Sequence, residues 1–391
     1  MVRFDQGEKQ AAMELISAGM NSSATVRGLT HGFYKYPARF SPQFVRTILD
    51  LYSNPGDIII DPFVGSGTTI VESLAGGRTS IGVDLNPLAH FIAKVKTTPL
   101  SEGDKVNIVD WVFKHQLGTH EDCGEFGSRV RNLPRRIQRV FEPVLSKVDE
   151  LPFQRQRGFV RCLLLKCAQW GLDCRRTVPS VNKLNEKIKA TLIEMLDGLD
   201  QLVDACKEAG LAKKAIGKRR TLLLGTSRGI DKHPLFADGN LRAKLVLTSP
   251  PYPGVHILYH RWQIGGRRET PAPFWLAGLR DGQGEAFYTL GGRSQKGIVN
   301  YFNEIALVFG SIRRVVCKDA RVIQLLSFTN TRLQLPRYLQ AMETAGFALD
   351  DTLPSGERSL MWRKVPNRKW YSQMRGCHDP GREVLLIHRP K

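Results

Sequence analysis

The stretch Gly56-Asp-Ile-Ile-Ile-Asp-Pro-Phe-Val-Gly-Ser-Gly-Thr-Thr69 decides the fold. A short β-rich apolar run ends in an acid, a proline and two glycines. A helical segment, Thr68 to Ala75, follows until Gly76-Gly77 stops it. A second run, Thr79-Ser-Ile-Gly-Val-Asp84, completes a strand, helix, strand unit. Units of this kind join parallel strands, so the pattern predicts a doubly wound α/β sheet. Gly65 and Gly67 allow a tight turn and close backbone approach, and the free N–H groups of the following helix face whatever binds there. Two familiar nucleotide loops do not fit. A G-x-x-x-x-G-K-[ST] loop needs a lysine after Gly67, and a dinucleotide loop needs a third glycine where Ile70 stands.

Further along, Gly82-Val-Asp-Leu-Asn86 places a carboxylate at the end of the second strand. Such an acid can accept both hydroxyl hydrogens of a ribose. Alone, Asp84 reads more readily as a helix cap, as does Asn86. Beside the glycine turn, the pair reads as a nucleoside pocket. Upstream, Pro42 to Leu51 has the pattern of a helix.

Strand-like runs return at Thr221 to Gly225, Lys244 to Thr248, Arg321 to Leu326 and Glu383 to Ile387, with a helix at about Tyr301 to Val316. The run Leu245-Val-Leu-Thr-Ser-Pro-Pro-Tyr-Pro-Gly254 ends against two prolines, which fix φ and remove two backbone donors. A stiff turn at a strand tip positions something. Between roughly 101 and 215, strand signal vanishes. Leu184, Ile188, Leu192, Met195, Leu199 and Leu202 step by three and four along a helix face that reads as plain core packing, and Val106, Val109 and Phe113 do much the same earlier. The chain therefore divides into an N-terminal part of the sheet domain (1–100), a helical insertion (101–215) and a C-terminal part (216–391). Residues 261 to 297, rich in Gly, Arg and Pro, read as a long, partly ordered loop.

The 57 Lys and Arg against 37 Asp and Glu give a net charge of +20, which makes a polyanionic partner the leading explanation. Seven scattered cysteines without a C-x-x-C pair read as reduced thiols, neither disulfides nor a metal site. No signal peptide is evident, and no run reaches the ~18 apolar residues of a spanning helix. A soluble cytoplasmic protein is expected, with no membrane association.

Asp61 to Thr69 resembles the D-P-F-x-G-S-G-T-T form of motif I of the DNA amino-methyltransferases, and Ser249-Pro-Pro-Tyr252 resembles their catalytic motif IV. The resemblance implies a Rossmann-like methyltransferase sheet with S-adenosylmethionine as cofactor and no metal. Asp61, Pro62, Phe63, Gly65, Ser66, Gly67, Thr68, Thr69, Asp84, Leu85 and Asn86 would hold that cofactor. His31 to Pro42 resembles motif X of the same family, which places Tyr36, Pro37, Ala38 and Phe40 against its methionine part. The likeness covers roughly residues 30 to 100 and 220 to 390. Two departures stand out. The cofactor motif precedes the catalytic one, whereas this D-P-F phrase usually follows it, and the helical block occupies an unusual place for a target-recognition region.

The implied chemistry fits the residues. An exocyclic amino nitrogen is a poor nucleophile until two acceptors take its hydrogens and localise its lone pair. Ser249 Oγ and the Pro250 carbonyl are suitable acceptors, Pro251 stiffens the turn, and Tyr252 would stack on a base swung out of duplex DNA. In the family, serine at the Ser249 position tends to accompany cytosine N4 methylation, and aspartate or asparagine adenine N6. Cytosine C5 chemistry uses a Pro-Cys pair, and this chain has none. Arg261, Arg267, Arg268 and Arg293 would touch DNA phosphates; for His256 and His260 a structural hydrogen bond is the default. A paired restriction endonuclease is a further expected partner. The competing readings are an adenine-N6 enzyme, an RNA guanine-N2 methyltransferase and an inactive nucleic-acid-binding scaffold.

Overall fold

A computed structural model describes residues 6–22, 28–35, 40–118, 129–254, 262–266, 268–281, 285–350, 360–364 and 382–391. Eight strands form one sheet: β1 (Ile58–Asp61), β2 (Thr79–Asp84), β3 (Arg220–Leu224), β4 (Ala243–Thr248), β5 (Val316–Leu326), β6 (Phe347–Leu349), β7 (Met361–Lys364) and β8 (Arg382–Pro390). Their order is β3-β2-β1-β4-β5-β8-β6, and β7 also pairs with β8. The first five are parallel neighbours, whereas β8 runs antiparallel to β5, β6 and β7. The expected strand, helix, strand unit is present, with β1 in register with β2 from Ile58↔Thr79 to Asp61↔Gly82 around the helix Thr68–Ala75.

From β1 the chain steps outward to β2 and β3, then returns to lay β4 on the other side of β1. Ligands in sheets of this kind bind at the carboxyl ends of the strands where the order reverses. Here that point lies between Asp61 and Thr248.

Side-chain alternation sends the sheet's apolar residues to two cores. Ile59, Leu245, Leu247 and Ile323 pack on the helices Gln6–Asn21 and Pro42–Tyr52 through Ile16, Phe44 and Ile48. Ile60, Val246 and Val322 face the opposite way, onto Tyr301, Ile305 and Phe309 of the helix Gln295–Arg313. Strands covered on both faces carry near-continuous apolar runs, as Ile58-Ile59-Ile60 does.

Between β2 and β3 stand the helices Pro87–Lys96, Glu102–Lys114, Arg135–Ser146, Gln154–Leu172, Val181–Glu208 and Lys213–Ile216. The stripe from Leu184 to Leu202 is buried along Val181–Glu208. The earlier stripe is different. Val106 and Phe113 are exposed, and Ile108, Trp111 and Val112 form the buried face of Glu102–Lys114. Val109 packs partly buried against the core, so spacing placed one of the three correctly; neighbouring apolar residues one position apart hid the rest of the buried face.

These helices share a core with Leu88, Ala89 and Ile92 of Pro87–Lys96. That core also receives Trp262, Ile264 and Phe274 from the segment expected to be a loop. The segment holds the short helices Ala272–Ala277 and Glu285–Tyr288, and the next helix already begins at Gln295. Its glycines and prolines punctuate structure without preventing it. Among the described residues, no helix is long and apolar enough to cross a membrane.

Candidate active site

At the tip of β1, Asp61 Oδ1 accepts the Phe63 N–H at 3.1 Å, which starts the turn. Gly65 and Gly67 then take φ of 49° and 78°, the left-handed region open to glycine. A Cβ on Gly67 would stand 2.9 Å from Ala93 Cβ, so the turn rests directly on the helix Pro87–Lys96. Gly67 is also the N-cap of Thr68–Ala75, and no side chain caps that end. Its first amides are free of side-chain competition for a ligand.

Asp84, at the tip of β2, accepts the Gly65 N–H with one oxygen and the Asn86 N–H with the other, each at 2.8 Å. Asn86 in turn caps Pro87–Lys96 by accepting from Leu88 N–H at 2.9 Å. A carboxylate has about four lone-pair sites, so both Asp84 oxygens can still accept from a ligand. Burial pushes the carboxyls of Asp61 and Asp84 up to about 6. Below the turn, buried Lys96 donates to the Ser66 carbonyl at 2.7 Å.

The second half of the site hangs from β4. Thr248 Oγ1 donates to Asp61 Oδ1 at 2.7 Å, tying the two strand tips together across the reversal point. Next comes Ser249, whose hydroxyl donates to the Leu325 carbonyl of β5 at 3.0 Å. Tyr252 is buried, and its hydroxyl donates to Glu383 Oε1 at 2.6 Å. The other Glu383 oxygen accepts from Arg363 Nε at 2.6 Å and Nη2 at 2.5 Å. Arg363 Nη1 reaches the Met20 carbonyl at 2.6 Å.

These parts converge on one cleft, partly open to solvent. Phe40, Asp61 to Ser66, Thr68, Thr69 and Asp84 to Asn86 line it together with Ser249 to Tyr252; Gly67 supports the turn from behind. Tyr36, Pro37, Ala38, His256, His260, Arg261 and Arg267 lie outside the described residues. Arg268 and Arg293 are exposed and do not line the cleft. Arg268 instead shares a shallow polar recess with Arg131 and Gln263.

Sequence reasoning missed three contributors. Gly225 to Ser227 follow β3 into the cleft, where Ser227 Oγ donates to the Pro62 carbonyl at 2.7 Å. Tyr288 to Leu290 form another wall. The Glu383 and Arg363 pair backs the tyrosine. A strand-ending Gly-Thr-Ser was a readable signal for the first; nothing local marked the others.

Comparison with known proteins follows the same lines. Residues 14–95 match the DNA methylase family model. This segment carries β1, the glycine turn and Asp84, whereas Ser249 to Tyr252 lies beyond it. The Type II methyltransferase M.MjaII of Methanocaldococcus jannaschii is 50% identical over 66 residues, 17% of this chain and 12% of that protein. M.MvaI of Kocuria varians, another Type II methyltransferase, is 40% identical over 81 residues, 20% and 18% of the two chains. The DNA adenine methyltransferase YhdJ of Escherichia coli is 39% identical over 61 residues, 16% and 21%. The matched segments thus span about a fifth or less of these relatives' length.

Proposed function

We propose that this chain is a DNA methyltransferase that uses S-adenosylmethionine and modifies an exocyclic base amino group, with cytosine N4 as the target. One observation carries the proposal: the glycine turn, Asp84 and the Ser249 to Tyr252 turn line a single cleft at the sheet's reversal point. The family match to residues 14–95 supports the cofactor side of it.

The residues present fit that cofactor. Asp84 offers lone pairs to a ribose diol, and the uncapped end of Thr68–Ala75 offers amide donors to a carboxylate. Phe40, Phe63 and Leu85 supply apolar surface, and two acids in a buried setting suit a ligand bearing positive charge. When bound, S-adenosylmethionine supplies an activated methyl group. The chain's own part is to orient the nucleophile. Ser249 Oγ and the Pro250 carbonyl take the two amino hydrogens of an extruded base, and the prolines keep that corner rigid. The portion of Tyr252 facing the cleft forms its wall. Arg131 and Arg268, neighbours at the polar recess, serve as phosphate contacts, so the helical block between β2 and β3 takes part in holding DNA. A companion endonuclease fits the Type II names of the relatives.

Ser249 favours cytosine by analogy within the family. The likeness to the adenine methyltransferase YhdJ supports the second reading, adenine N6. Incubating the protein with DNA and S-adenosylmethionine, then digesting to nucleosides for mass spectrometry, is expected to yield 4-methylcytosine. 6-Methyladenine alone would replace the target base; transfer to RNA and not to DNA would replace the substrate.

A further inference from the structure

Both side-chain hydroxyls of the catalytic turn have an acceptor that is not the cleft. Pro250 and Pro251 have no N–H. The Ser249 hydroxyl lies 3.0 Å from the Leu325 carbonyl, which can only accept, so its hydrogen points there. The Tyr252 hydroxyl lies 2.6 Å from Glu383 Oε1 and 3.5 Å from Ser249 Oγ. A carboxylate paired with a guanidinium offers only lone pairs, so the phenol hydrogen points at Glu383.

The hydroxyls of Ser249 and Tyr252 therefore leave lone pairs, not hydrogens, toward the cleft. We propose that Glu383, clamped by Arg363, is a specificity-determining positioning residue: it draws the Tyr252 hydroxyl hydrogen away from Ser249, so that the turn accepts an NH2 group and rejects a carbonyl oxygen. This rests on the reading of Ser249 to Tyr252 as the base-binding turn. It adds a residue from β8 that touches neither base nor cofactor and acts through the tyrosine.

The alternative is that Glu383 and Arg363 only brace the strands β7 and β8. Buried ion pairs often contribute little net stability, so bracing alone is a weak reason for one here. Two substitutions separate the roles. Glu383→Gln keeps the shape but reverses the polarity. Arg363 can only donate and takes the amide oxygen, leaving the amide NH2 against Tyr252, whose hydrogen must then turn toward Ser249. Glu383→Asp shortens the side chain but keeps an acceptor. Polarity predicts that Gln is the more damaging change; bracing predicts Asp.

The measurement is the ratio of deoxycytidine to deoxyuridine affinity, by ligand-observed NMR with S-adenosylhomocysteine present. The wild type should prefer deoxycytidine by about tenfold or more, Glu383→Asp should keep that ratio within about threefold, and Glu383→Gln should bring it close to unity. Tyr252→Phe/Glu383→Gln should match Tyr252→Phe alone, because there is no phenol hydrogen left to misdirect. An unchanged ratio in Glu383→Gln, a larger loss in Glu383→Asp, or an equal loss with and without the phenol would overturn the proposal. The readout needs no methyl transfer. If the ratios behave as stated while no methylated nucleoside forms, the enzymatic reading falls and the polarity assignment stands. If 4-methylcytosine forms and the ratios do not move, the reverse holds.

Discussion

Each oxygen of Asp84 already holds one backbone N–H, so deleting the carboxylate unties the glycine turn as well as the ligand. Asp84→Ala should weaken S-adenosylhomocysteine binding by tenfold or more, about 1.5–3 kcal/mol for bonds to a charged group. Ser249 makes no such bond to the turn. Ser249→Ala should lower turnover by about tenfold or more and leave cofactor affinity within about twofold. Calorimetry and steady-state kinetics on the pair read the split; equal losses in both quantities would contradict the roles. Burial raises Asp84 from 3.8 to about 6, so its acceptor form is lost as pH falls through that value. Affinity for S-adenosylhomocysteine should therefore be level above pH 7 and decline below 6, with the decline flattened in Asp84→Asn. A level profile down to pH 5 would show that the carboxylate is not what the ligand uses.

Between strand and helix, the decisive element is the turn through Gly67. Its left-handed φ and its contact with the helix Pro87–Lys96 both exclude a Cβ. Gly67→Ala should cost about 1–2 kcal/mol from the backbone alone. Thermal unfolding should show the loss, and Ala93→Gly in the same chain should recover only the part owed to the clash. Elements of this kind were legible because their causes are local: a β-branched run makes β1, a glycine pair ends a helix, and two prolines end β4. The helix face at Ile108, Trp111 and Val112 was not legible, since neighbouring apolar residues allow two faces and packing on the sheet's helices selects one. Helix Ala272–Ala277 was hidden by the glycines and prolines around it, though its Phe274 and Leu276 are buried. Within the candidate site, the glycine turn, Asp84 and the Ser249 turn were readable as phrases. Glu383 was not, because it joins them only through the antiparallel pairing of β8 with β5 and β7. An acid at the start of a strand carries no local sign of the phenol it will meet.

The net charge of +20 belongs to the whole molecule and acts at long range. DNA affinity should fall steeply and log-linearly with salt, and Arg131→Ala with Arg268→Ala should reduce that slope by about 1–2. Filter binding at several salt concentrations measures it; an unchanged slope would remove the polar recess from the phosphate track. The bond from Tyr252 to Glu383 spans 131 positions of chain. On the proposed reading, translation delivers the phenol long before the acid that aims it, and the glycine turn earlier still. A nascent polypeptide on the ribosome can thus carry both signature phrases while its corner still lacks the group that aims the tyrosine. On that reading, competence to choose a base waits for the antiparallel strand β8.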